Sequence, residues 1–153
     1  MPSRTPRLPR SDRPPKGRPP ILIKRAYDPP APEDGRRILV DRYWPRGLTK
    51  EKARLDGWFR ELAPSDDLRK WYHHDPTRFE EFQARYRREL LPRSEGVAAL
   101  LREAAGGPLT LVFSARVAEG SNAFVLREIL EEERRHPHAS HPDRTRGARR
   151  RVR

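Results

Sequence analysis

Three arginines, a pair of histidines and one aspartate stand out in this chain as residues whose types and spacing suit chemistry. Arg42, Arg46 and Arg116 carry planar guanidinium forks that grip phosphate or carboxylate through paired hydrogen bonds. Asp41 directly precedes Arg42. It reads either as a proton-transferring carboxylate or as an internal partner for one of those arginines. His73-His74-Asp75 is the clearest acid–base cluster, because imidazole titrates near neutrality and an adjacent carboxylate can orient it. Asp41 and His74 are therefore the candidate catalytic groups. Arg42, Trp44, Arg46, Arg116, Ser121 and Asn122 are the candidate ligand-binding residues. Two plainer readings stand beside these. Asp75 before Pro76 is a helix cap with Pro at the first helical position, and Trp44 closes the core edge instead of stacking on a ligand.

No metal site is expected. Two adjacent histidines need unusual backbone geometry to face one ion, and there is no Cys to supply a thiolate. His136, His138 and His141 read as composition. No cofactor is called for either. The chain has no Walker-type loop, no GxGxxG and no GxSxG elbow.

The elements that must position these groups follow from periodicity. Residues 21–27 read as a strand stopped by Asp28-Pro29-Pro30. Residues 37–43 form a second strand, almost continuously apolar at its centre, as suits burial on both faces. Thr49 is a helix cap, and Leu55, Trp58, Phe59 and Leu62 follow at helical spacing. Leu68, Trp71 and Tyr72 mark a second helix. Phe79, Phe82, Tyr86 and Leu90 mark a third, and Val97, Leu100, Leu101 and Ala104 a fourth that ends at Gly106-Gly107. Residues 108–114 are a third strand, and a last helix spans about 121–135.

A long helical crossover makes the second and third strands parallel. The expected fold is a small three-layer α/β domain with a mostly parallel sheet of three to four strands and about five helices. Ligands bind beyond the C-terminal ends of such strands. That edge gathers Asp41, Arg42, Trp44 and Arg46 with Ser114, Arg116 and the helix start at Ser121-Asn122. Three guanidinium groups against one carboxylate favour an added anion there.

The net charge of +12 over 153 residues points to nucleic acid until it is placed along the chain. Residues 1–20 carry six basic and one acidic residue, and 134–153 carry eight and one. The segment between them is neutral, with 20 of each sign. Segments 1–20 and 136–153 are too poor in apolar residues to build a core, and are expected to be disordered tails around one domain at 21–135. Basic tails attract phosphate backbones without sequence preference. The plainer reading is codon bias, since 29 of the 34 basic residues are Arg. No stretch is long and apolar enough for a membrane span, and no secretory signal is visible. The expectation is a soluble cytoplasmic protein. Oligomeric state is not legible.

The segments KRAYDPPAPEDGRRILVDRYWPRGLTKEKARLDGW, ELAPSDDLRKWYHHDPTRFEEF and LTLVFSAR…NAFVLREIL resemble the YeaO-like family of bacterial proteins, domain of unknown function 488. The likeness covers about residues 22–130, with VDRYWPRGL its most specific part. It implies a small cytoplasmic α/β domain and no established reaction. Relatives commonly open the last helix with a His- and Asn-rich segment. Here Gly120-Ser121-Asn122 retains one Asn, so chemistry carried by that segment would be altered or lost. Three functional readings remain open. The core handles an anionic small molecule or nucleotide, as an enzyme or not; the basic tails make the protein a nucleic-acid-associated module; or Trp44 and Trp71 hold a protein partner.

Overall fold

Leu109–Phe113, the last strand in sequence, lies in the middle of the sheet. The computed structural model describes residues 18–136. The Arg-rich segments at either end, expected to be disordered and to attract nucleic acid, fall outside these residues apart from 18–20 and 136. Four parallel strands, β1 (Ile21–Arg25), β2 (Arg36–Leu39), β3 (Gly57–Trp58) and β4 (Leu109–Phe113), stand in the order β1-β4-β2-β3. Leu111 pairs with Ile23 on one side and Ile38 on the other. All five β4 residues are buried, which is why the strand is an unbroken apolar run apart from Thr110. The Thr110 hydroxyl donates to the Asp34 carbonyl at 2.7 Å.

Five helices follow the crossover logic: α1 (Lys50–Ala53), α2 (Asp66–Tyr72), α3 (Phe79–Leu90), α4 (Ser94–Ala105) and α5 (Asn122–Arg135). Alternation along the strands sends Ile21, Ile38, Leu109, Leu111 and Phe113 into one core with Phe82, Tyr86, Leu100, Leu126 and Leu130 of the longer helices. Leu39 and Val112 point the other way, under Trp44, Leu48, Leu55 and Trp58. The third layer is therefore thin, made by the segment around α1. Side-chain caps start α1, as expected from Thr49, and α5, where Ser121 is expected among the ligand-binding residues instead. Thr49 Oγ1 accepts from Lys52 N–H at 3.2 Å, and Ser121 Oγ accepts from Phe124 N–H at 3.1 Å. Asp75 caps a 3-10 turn, Pro76–Arg78, that runs into α3.

One expected helix is cut short. The spacing of Leu55, Trp58, Phe59 and Leu62 predicts a helix, but α1 ends at Ala53 with Arg54 left-handed at φ 49°. The chain then forms β3 and a 3-10 turn, Arg60–Leu62. The four apolar residues do not share one face. Leu55 and Trp58 cover the thin side of the sheet, whereas Phe59 and Leu62 join the main core. A strand edge was open beside β2, and tertiary burial outweighed the local period. Gly57 permits the approach, because a Cβ there would sit 3.0 Å from Ile38 Cδ1.

Near the start of β2, Arg37 is 3% exposed. It donates to Asp34 Oδ2 at 2.7 Å and to the Ala53 and Arg54 carbonyls at 2.8 and 3.1 Å. Lys24 Nζ reaches the same carboxylate at 3.1 Å. Burial alone would raise the Asp34 carboxyl. The Ala31 N–H with Lys24 and Arg37 outweighs it and holds the group below its usual range.

Candidate functional site

Parallel pairing of β2 and β4 brings their C-terminal ends to one edge, and the last ladder bond there is Val40 N–H to the Val112 carbonyl at 3.0 Å. One residue further, Asp41 Oδ2 accepts from the Ser114 N–H at 2.9 Å and the Ser114 hydroxyl at 2.8 Å. Asn122, the first residue of α5, donates from Nδ2 to the Val40 carbonyl at 3.0 Å. Trp58 Nε1 donates to the Asp41 carbonyl at 2.7 Å. These bonds tie two strand ends, β3 and a helix start into one rigid corner. Burial pushes the Asp41 carboxyl above its ordinary value. The bonds from Ser114 and Asn122 and the positive potential of His74 oppose that shift without cancelling it. Tyr86 is fully buried, donates to the Leu62 carbonyl at 2.6 Å and is pushed strongly upward by burial and then by the Asp41 charge.

Above this corner opens a cleft of about 520 Å³. The loop after β2 supplies Arg42 and Arg46, and α2 supplies Arg69 and Lys70. Among the described residues, Asp41 is the one acidic side chain that lines it. Arg42 Nε donates to the Pro64 carbonyl at 3.2 Å. The Arg46 side chain is exposed, and its carbonyl accepts from the Tyr27 hydroxyl at 2.8 Å. The Arg69 guanidinium lies 5.3 Å from the centre of the Tyr43 ring and pairs with Asp66 at 3.2 Å. Trp44 is held by the core side: Nε1 donates to the Leu48 carbonyl at 2.6 Å, and its ring meets Trp58 edge-on at 5.7 Å.

The structure brings Asp41, Arg42, Trp44, Arg46, His74 and Asn122 onto this cleft. It places Arg116 on a neighbouring cavity, so the three arginines do not share one wall. Ser121 is buried, with its hydroxyl used as the α5 cap and its N–H bonded to the Ala118 carbonyl at 3.0 Å. Asp41 pairs with Ser114 in place of an arginine, and the buried Arg–Asp pair of the fold is Arg37–Asp34. His73 and His74 are both left-handed, at φ 45° and 53°. Side chains with a Cβ resist that conformation by about 1–2 kcal/mol each, so the core around Tyr72 over-determines the turn. Arg69, Lys70 and Tyr72 escape a motif search. Their signal is positional: Leu68 and Tyr72 set the buried face of α2, and Arg69 and Lys70 follow Leu68 on the same short helix.

A family model described as the inactive DUF488-N3 subclade matches residues 20–145. The chain belongs to this DUF488 family. It is similar to an uncharacterised protein of Mycobacterium tuberculosis, with 41% identity over 111 residues, 72% of this chain and 92% of the relative. It is also similar to the uncharacterised protein YeaO of Escherichia coli, with 41% identity over 110 residues, 72% of this chain and 96% of YeaO. No solved structure matches. For a DUF488 chain of this subclade, the corner formed by Asp41, Ser114 and Asn122 is a closed hydrogen-bonded unit. No helix among the described residues is long and apolar enough to cross a membrane.

Proposed function

We propose that this domain binds a phosphate- or carboxylate-bearing small molecule, nucleotides included, in the cleft at the C-terminal strand ends, and holds it without turning it over. The observation that carries the reading is the charge of the cleft wall. Arg42, Arg46, Arg69 and Lys70 line it together with the Asp41 carboxyl, whose ionisation burial disfavours; Arg69 is paired with Asp66, which leaves Arg42, Arg46 and Lys70 as the surplus. A concave site with that imbalance attracts an anion and focuses its field on it. Retention without turnover agrees with the description of the subclade as inactive. It also agrees with the use of the polar groups at the start of α5. The Ser121 hydroxyl caps the helix and the Asn122 amide binds Val40. In this reading Asp41 holds Ser114 in place, and His74 lines the cleft beside it.

Thermal unfolding with inorganic phosphate tests the proposal. A ligand that binds the folded state alone raises the midpoint. The wild-type chain shifts and Arg46→Ala does not. A shift that vanishes at high salt and survives in Arg46→Ala assigns the anion to the basic termini instead, the behaviour of non-specific phosphate contact.

A further inference from the structure

The turn that follows α2 stands between two cavities of different chemistry. On one side is the basic cleft. On the other is a cavity of about 670 Å³ lined mainly by aromatic and small apolar side chains. Phe79 and Phe124 lie 6.1 Å apart, Tyr72 and Phe79 6.3 Å, and Tyr72 and His74 5.6 Å. Val117, 60% exposed, lies on this cavity and not on the cleft. Arg116 and Glu119 are its charged lining residues. Tyr72, His74 and Ala115 line both spaces, so the two meet along a shared wall of three side chains.

A bare phosphate would occupy the basic cleft and leave water against the aromatic walls of its neighbour. Water gains nothing there, and a flat apolar body would displace it. A ligand that uses both spaces needs an anionic end and a planar ring a few bonds away. An alkyl phosphate meets the first requirement and brings no ring to set against the aromatic walls. Each cavity is within the size range of small-molecule sites.

We propose that the two cavities form one site for a nucleotide, with its phosphate among Arg42, Arg46, Arg69 and Lys70 and its base against Tyr72, Phe79 and Phe124. This rests on the anion reading of the basic cleft, and the experiment separates the two. The full chain is titrated with inorganic phosphate, AMP and octyl phosphate, as wild type, as Arg46→Ala and as Val117→Asp. The expected result is AMP binding about tenfold or more tighter than phosphate, the scale of one base–aromatic stack. Octyl phosphate gains less. Val117→Asp, on an exposed residue, keeps the phosphate response and loses the advantage of AMP, whereas Arg46→Ala weakens both. If AMP binds no tighter than phosphate, or octyl phosphate gains as much, the nucleotide proposal is overturned and the anion cleft stands. An AMP advantage that survives Val117→Asp overturns the placement of the base. If neither phosphate nor AMP binds, both readings fall.

Discussion

The two ends of β2 use charge in opposite ways. At its start, Arg37 is buried and its guanidinium bonds to fixed internal acceptors, Asp34 and the Ala53 and Arg54 carbonyls. Beyond its end, Arg42 and Arg46 stand around a carboxyl already held by Ser114, and among the described residues neither forms an ion pair with a carboxylate. The first cluster is closed, with Lys24 and Arg37 both bonded to the Asp34 carboxylate inside the fold. The second has surplus positive charge facing a cavity. A guanidinium that the fold has already satisfied holds structure together, and one that the fold leaves facing solvent in a concave wall is free for a ligand.

The largest effect comes from opening the closed end. Asp34→Ala leaves Arg37 buried without its carboxylate and is expected to cost about 3–5 kcal/mol, read by urea unfolding at neutral pH. A cost near that of an ordinary surface substitution would mean that the backbone carbonyls suffice for Arg37.

An intermediate effect separates the two ends by sign. The Asp34 carboxyl is held below its ordinary value of 3.8. Its contribution to stability is full above that value and is lost as pH falls through the lower, folded one. The Asp41 carboxyl is raised above 3.8. The folded state then holds its proton more tightly than the unfolded chain, so stability is lost as pH rises from 3.8 through the folded value. Asp41→Asn removes that loss. The unfolding midpoint of the variant should gain on wild type as pH rises through this window and match its trend above it. A variant that gains on acidification instead would reverse the assignment.

The smallest effect on the fold is expected at the open end. Arg46→Ala changes stability by no more than about 0.5 kcal/mol, because the side chain is exposed and the bond to Tyr27 uses its backbone carbonyl. The same variant removes the phosphate-induced midpoint shift. A large loss of stability in Arg46→Ala would make the open end structural after all and dissolve the contrast.

Much of this arrangement was legible in the chain. Three of the four strands, the capping by Thr49 and Asp75, and the shared edge of β2 and β4 all follow from local pattern and one handedness rule. The fourth strand was not legible, because Leu55, Trp58, Phe59 and Leu62 carry a helical period by coincidence. What decides their fate is the open flank of β2, which is long-range information. The cleft was half legible. Strand ends identify Asp41, Arg42 and Arg46 on one wall. Arg69 and Lys70 complete it from a helix whose rotation is set by how Leu68 and Tyr72 pack, and neighbouring residues give little hint of that. The place of Arg116 follows from the course of the chain after Ser114, where no period constrains the loop and the strand-end rule no longer applies.

The central position of β4 also bears on when this protein can fold during synthesis. β1 and β2 do not pair with each other; each pairs with β4, which is made after α4. Ile21 must wait for Leu109, and Ile38, which meets Gly57 of β3 earlier, must wait for Leu111 on its other side. Helices can form locally while the chain emerges from the ribosome, but until nearly the whole domain has been translated β1 has no ladder partner and β2 has only the two-residue β3. A nascent chain arrested before Leu109 should therefore remain sensitive to protease along β1 and β2, and protection should arrive in one late step once β4 is free of the exit tunnel.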